Sequence, residues 1–285
     1  MRKIIILLSL LSLLICCSKQ TKKSAYIEFQ TNLDSARATA IAEKKPLVIE
    51  FFKQGCPWSK MMDDSTFNDK IVIGMADDMV FCKIDADTDS LATEAMKVSF
   101  YPAFIVCGTD GKEIDRMIGY YPPGDFFNEV QLFLQGNETL KDYQIRLADE
   151  PNRTDYHLII GEKYKYRSDW DKALEYYNNV LRLAEDDEDQ HDVEIAKISI
   201  ADVYREMGEF NKAARLYEEF LAQYPQSEKA EDAARKLPDC YTQMAELDKA
   251  VTLFQKYLND YPGGVYTVWV KDKLEDLNRL VEAGK

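Results

Sequence analysis

Short apolar runs separated by amphipathic stretches fill the chain from about residue 26 to 134. Residues 46–52 (PLVIEFF), 79–84 (MVFCKI) and 102–107 (PAFIVC) have the length and composition of buried strands, and 113–118 follows the turn Gly108-Thr109-Asp110-Gly111 as a fourth. The stretches 33–44, 59–69, 90–97 and 123–135 carry helical spacing. Strands alternating with helices predict an α/β sandwich around one sheet.

From about residue 154 no strand pattern survives, and an internal repeat takes over. Aligning Asp171-Lys172-Ala173, Asn211-Lys212-Ala213 and Asp248-Lys249-Ala250 brings three segments into register, 40 and 37 residues apart. Nine residues before each alanine stands Tyr164, Tyr204 or Tyr241, and three before it Trp170, Phe210 or Leu247. Four after it stands Tyr177, Tyr217 or Phe254, and eight after it Leu181, Leu221 or Leu258. Tyr224-Pro225 and Tyr261-Pro262 close the last two units. This pattern resembles the tetratricopeptide repeat family, which implies helix pairs stacked into a solenoid whose aromatics and alanines form the core and whose concave face binds a protein client. Gly161 and Ala201 hold the small-residue position of the first helix. Pro238 holds it in the third repeat and is expected to kink or shorten that helix. Residues 265–283 read as a terminal helix covering the last repeat. The expected organisation is a signal peptide over 1–17, a tether over 18–25 and an α/β domain over 26–138. A linker over 139–153 and three all-α repeats with a capping helix over 154–285 complete it.

The chain of 285 residues is 46% hydrophobic with only 12 Gly and 9 Pro, which excludes a wholly disordered or collagen-like protein. With 36 basic against 50 acidic residues it lacks the basic surplus that nucleic-acid binding needs. His157 and His191 are the only histidines, so no metal site is expected, and no cofactor either. The acidic run 185–194 matches no calcium-loop spacing and reads as a solvated loop.

Arg2 and Lys3 precede an apolar run over 4–15, then Cys16-Cys17. A charged start and about a dozen apolar residues fit an export signal and are too short to span a bilayer. The run's end resembles a bacterial lipobox. Cys17, preceded by the small Cys16, suits the lipidated position better than Cys16, preceded by Ile15; an uncleaved anchor or a plain signal is the alternative. The expected location is the bacterial cell envelope, facing the periplasm, with the membrane touched only through the lipid.

The chemistry gathers at Cys56. An apolar strand runs into Lys53-Gln54-Gly55-Cys56-Pro57-Trp58-Ser59, then an amphipathic helix, which puts a thiol at a helix N-terminus where unpaired N–H groups and the dipole stabilise a thiolate, the species that attacks disulfides. Residues 26–134 resemble the thioredoxin family, above all its exported branch, through Lys45-Pro46, Cys56-Pro57-Trp58, Lys60, Met62 and Thr66-Phe67, with Val98-Ser99-Phe100-Tyr101-Pro102 at the cis-proline loop and Gly111-Lys112 in the hairpin. The resemblance implies that Pro102 is cis and faces Cys56. It also implies that Pro57, Trp58, Tyr101 and Pro102 form the substrate-binding surface, with the Tyr101 backbone pairing with a substrate strand. Glu50 would occupy the place of the family's buried acid, moving a proton to or from the thiol.

The family's second cysteine is replaced by Ser59, whose hydroxyl could hydrogen-bond a Cys56 thiolate but cannot resolve a mixed disulfide. Two readings remain open. One is monothiol exchange of isomerase or reductase type through Cys56, with another thiol releasing the client. The other is a redox-inactive adaptor in envelope assembly, in which Cys56 is a relic. Cys82 and Cys107 fall in buried strands and Cys240 beside a core tyrosine, which suits small hydrophobes better than redox groups.

Overall fold

The computed structural model describes residues 24–184 and 190–283. The export signal, Cys16 and Cys17 lie outside these residues. Among the described residues no helix is long and apolar enough to cross a membrane.

The first half is a five-stranded sheet of β1 (Phe29–Gln30), β2 (Leu47–Phe52), β3 (Val80–Asp85), β4 (Ala103–Cys107) and β5 (Glu113–Ile118), in the order β1-β3-β2-β4-β5. β2 lies parallel to β3 and antiparallel to β4, and β5 closes the antiparallel side. Helices α1 (Leu33–Glu43), α2 (Pro57–Asp64), α3 (Lys70–Ile73), α4 (Ser90–Ala95) and α5 (Pro123–Leu134) cover the sheet. Covering on both sides explains why β2 is apolar at every position except Glu50. Leu47, Ile49 and Phe51 pack with Leu33, Ala36 and Ala40 on one face, while Val48 joins Met62, Val72, Phe126 and Val130 on the other.

Four strands lie within a residue or so of expectation. β1 was not expected, because two residues on a sheet edge leave no periodic pattern. The single helix expected over 59–69 is instead α2, a 3-10 turn (Thr66–Asn68) and α3. Pro57 starts α2 two residues early, since proline suits the first helical position. Ser65, with φ −123°, ends it, and the Asp69 side chain caps α3 by accepting from Ile71 N. The stretch expected as a linker, 139–153, holds α6 (Leu140–Asp149), capped by the Thr139 side chain and packed on the next helix through Tyr143.

The second half consists of α7 (Thr154–Lys165), α8 (Trp170–Ala184), α9 (Gln190–Glu206), α10 (Phe210–Gln223), α11 (Ala230–Gln243), α12 (Leu247–Asp260) and the terminal α13 (Thr267–Ala283). The acidic run is not a loop throughout, because residues 190–194 form the start of α9, where Asp192 complements the helix dipole. Ala173, Ala213, Ala250, Tyr177, Tyr217 and Phe254 are all buried. Gly161 is small for a reason: a Cβ there would lie 2.7 Å from the Tyr177 ring. The turn inside each pair is built the same way three times. Ser168, Gly208 and Ala245 take positive φ (51°, 78° and 60°), and the next amide donates to the carbonyl of Tyr164, Tyr204 or Tyr241. Pro238 does not shorten its helix, which runs on five residues beyond it, with Thr242 Oγ1 donating back to the Pro238 carbonyl.

Candidate functional site

Cys56 occupies the N-cap of α2, after Gly55, whose φ of 76° turns the chain out of β2 and which bears no Cβ to oppose that turn. The Cys56 amide donates to Lys53 O and its carbonyl accepts from Lys60 N, so the thiol is fixed at the helix start. It is half-buried. Across from it the Tyr101–Pro102 bond is cis, and Cys56 Sγ lies 3.8 Å from the Tyr101 carbonyl oxygen, which accepts from the thiol. Pro102 is buried and its carbonyl accepts from Gly119 N, which ties the loop to β5. Pro57 and Trp58 are exposed beside the thiol, and the Trp58 ring stacks on Tyr120 at 6.5 Å.

Ser59 is buried, and its Oγ has no hydrogen-bond partner among the described residues. The expected bond to Cys56 is therefore not formed, because the Cys56 sulfur is directed at Tyr101 instead. Cys82, Cys107 and Cys240 are fully buried, and burial pushes each thiol up to about 12, so they stay protonated at neutral pH. Cys56 is the one cysteine among the described residues within reach of a client.

Glu50 is only 1% exposed, and it shares the face of β2 that packs against α2 and α5. Burial pushes its carboxyl up from 4.5 to about 7; Lys83 opposes the rise and Asp63 adds to it. Lys83 Nζ sits 3.1 Å from Glu50 Oε2 but is not aligned for a hydrogen bond, and it also pairs with Asp63. A group poised near neutrality can accept or return a proton at cellular pH. Sequence reasoning missed Lys83, although a lone lysine in the apolar run 79–84 was a signal. The register places it directly opposite Glu50, and the Phe52 ring packs against its ammonium.

A half-buried thiol at a helix start, a cis-proline loop facing it and a buried acid on the neighbouring strand, on this sheet topology, define a thioredoxin-like domain. Residues 33–133 match the family model described as a thioredoxin-like domain, and 156–226 and 233–264 match tetratricopeptide repeat models. The chain therefore carries a thioredoxin-like domain followed by tetratricopeptide repeats. No curated protein matches it. Similar solved structures include one of the thiol-resolving mechanism in yeast mitochondrial 1-Cys peroxiredoxin via glutathione/thioredoxin systems. It is 30% identical, covering 38% of this chain and 98% of that one, with a TM-score of 0.32. Oxidized mitochondrial thioredoxin 3 from Saccharomyces cerevisiae is 28% identical over 37% and 93%, at 0.31. DsbH oxidoreductase is 17% identical over 41% and 92%, at 0.35.

Proposed function

We propose that the protein performs monothiol thiol–disulfide exchange through Cys56 on protein clients recruited by its repeats. The observation that supports this most is the half-exposed Cys56 sulfur beside the Tyr101 carbonyl, in a chain whose other described thiols are buried. Cys56 gives up its proton, with Glu50 as its acceptor. The thiolate then attacks one sulfur of a client disulfide; that S–S bond breaks, a Cys56–client S–S bond forms, and the second client sulfur leaves as a thiolate. A thiolate of the client itself then attacks the Cys56-bound sulfur, giving a rearranged disulfide with no net redox change. If a separate small or protein thiol attacks the client sulfur, the client leaves on that thiol; if it attacks the Cys56 sulfur, the client leaves reduced and Cys56 awaits another thiol. Ser59 leaves the Cys-x-x-Ser motif without a resolving thiol. The amino-terminal pattern supports export to the bacterial envelope and a lipid tether at Cys17, which would hold this chemistry at a periplasmic membrane face.

The test is to incubate the reduced chain with a disulfide-bearing peptide and locate adducts by mass spectrometry. A mixed disulfide at Cys56, lost in Cys56→Ser, with Cys82, Cys107 and Cys240 modified only after unfolding, is the expected result. A native chain that forms no adduct at Cys56 sinks the exchange reading and leaves a redox-inactive adaptor.

A further inference from the structure

Five side chains of the first repeat face the thioredoxin-like domain, and the other two repeats carry different residues at each of these positions. In the three-repeat register Lys163 corresponds to Val203 and Cys240, Tyr166 to Glu206 and Gln243, and Arg167 to Met207 and Met244. Ser168 corresponds to Gly208 and Ala245, and Trp170 to Phe210 and Leu247. The helix pair itself asks only for an apolar residue at the Trp170 position and demands none of the other four side chains. Lys163 and Arg167 bind the buried Asp115 of β5. The other three converge on the 97–101 loop. Ser168 Oγ lies 2.8 Å from Ser99 Oγ and donates to Lys97 O at 3.4 Å. The Phe100 ring meets Tyr166 and Trp170 edge-on, at 6.2 and 6.5 Å. Behind them Arg116, 4% exposed, donates through one nitrogen to the carbonyls of Met96 (3.0 Å), Lys97 (3.3 Å) and Tyr166 (3.2 Å), so a single guanidinium gathers both domains. Lys97 stands at φ 50°, a strained conformation that persists where its surroundings enforce it.

We infer that the first repeat is a working part of the thiol site. Tyr166, Ser168 and Trp170 are positioning residues that hold the Ser99–Tyr101 backbone where an extended client strand can pair with it beside Cys56. This inference rests on the exchange reading for its client, a cysteine-bearing extended polypeptide. A small disulfide needs no strand pairing and is indifferent to the buttress.

The test is the full chain carrying Ser168→Gly and Trp170→Leu, residues that the second and third repeats use at those positions and that the fold therefore tolerates. Two probes are compared, 2,2′-dithiodipyridine and a short extended cysteine peptide activated as its thiopyridyl disulfide, with thiopyridone release as the readout. The peptide rate is expected to fall about tenfold, with the small-disulfide rate changed by less than about twofold, the split that loss of positioning alone produces. Backbone amides of Ser99, Phe100 and Tyr101 should also exchange with solvent faster in the variant. An unchanged peptide rate, an equal fall in both rates, or unaltered amide exchange overturns the inference. Tyr166→Gln, copying the third repeat, is the second variant and should show the same split. Wild-type Cys56 inert to both probes is a failure of the exchange reading instead, and amide exchange then decides the buttress alone.

Discussion

Glu50 is the residue whose surroundings depart furthest from what its chemistry prefers. A carboxyl between Val48 and Phe52 on an interior strand has lost its water, and Lys83 returns only part of that loss. Its folded value of about 7 stands above the unfolded 4.5. The folded state therefore holds the proton more tightly, and stability falls as pH rises from about 4.5 to about 7. Above that range the deficit is constant, about 3 kcal/mol for a rise of this size. Glu50→Gln should remove the slope and make the protein more stable at pH 8, with Lys83 still paired to Asp63. Denaturant unfolding at pH 5 and pH 8 checks this; a variant as pH-sensitive as the wild type would show that another group carries the slope. A slower Cys56 reaction in the same variant would separate a catalytic acid from a merely tolerated one.

Elements were legible in the sequence where burial imposes a long period and obscure where a few residues decide. β2 and β4 announce themselves because both their faces are covered, and the repeats because three units share one set of core positions. α6 lies in the stretch expected as a linker, yet its sequence carries a signal. Thr139 and Asp142 stand at capping spacing, and in the structure the Thr139 side chain accepts from Asp142 N while Asp142 accepts from Glu138 N. At the site, Cys56, Glu50 and Pro102 were legible through family resemblance. Lys83 needed strand register, and Arg116 and Phe100 needed the docked repeat, which no local pattern encodes. The repeat turn gives a prediction at this scale. Ala245 adopts φ 60° where the second repeat uses Gly208, and an L side chain in that region is strained. Ala245→Gly should stabilise the protein by about 1 kcal/mol, and Gly208→Ala should destabilise it by about as much. Opposite shifts of the denaturation midpoint are the expected reading, and shifts of the same sign would refute the shared-turn account.

The whole molecule is held together at Asp115. Its carboxylate is fully buried, Oδ1 accepting from Arg116 N and Arg167, and Oδ2 from Leu140 N and Lys163. One side chain of β5 thus binds its own strand, the start of α6 and the first repeat. Burial alone would raise the group, but Arg167 and Lys163 outweigh it and hold the carboxyl below its ordinary 3.8. Its contribution is present above that value and is lost as pH falls through the lower folded one, the reverse of Glu50. Breaking a buried ion cluster from one side leaves the other charges stranded, a loss of about 3 kcal/mol. Asp115→Asn should therefore separate what the latch joins. The wild-type chain should unfold in one transition, whether followed by Trp58 of the first domain or by Trp170 and Trp269 of the second half. The variant should unfold in two, with the thioredoxin-like domain and the repeats parting first. A variant that unfolds in one transition at the wild-type midpoint would mean that apolar contacts such as Phe100 against Tyr166 suffice to join the halves. In that case the charges at Asp115 serve only to satisfy one another.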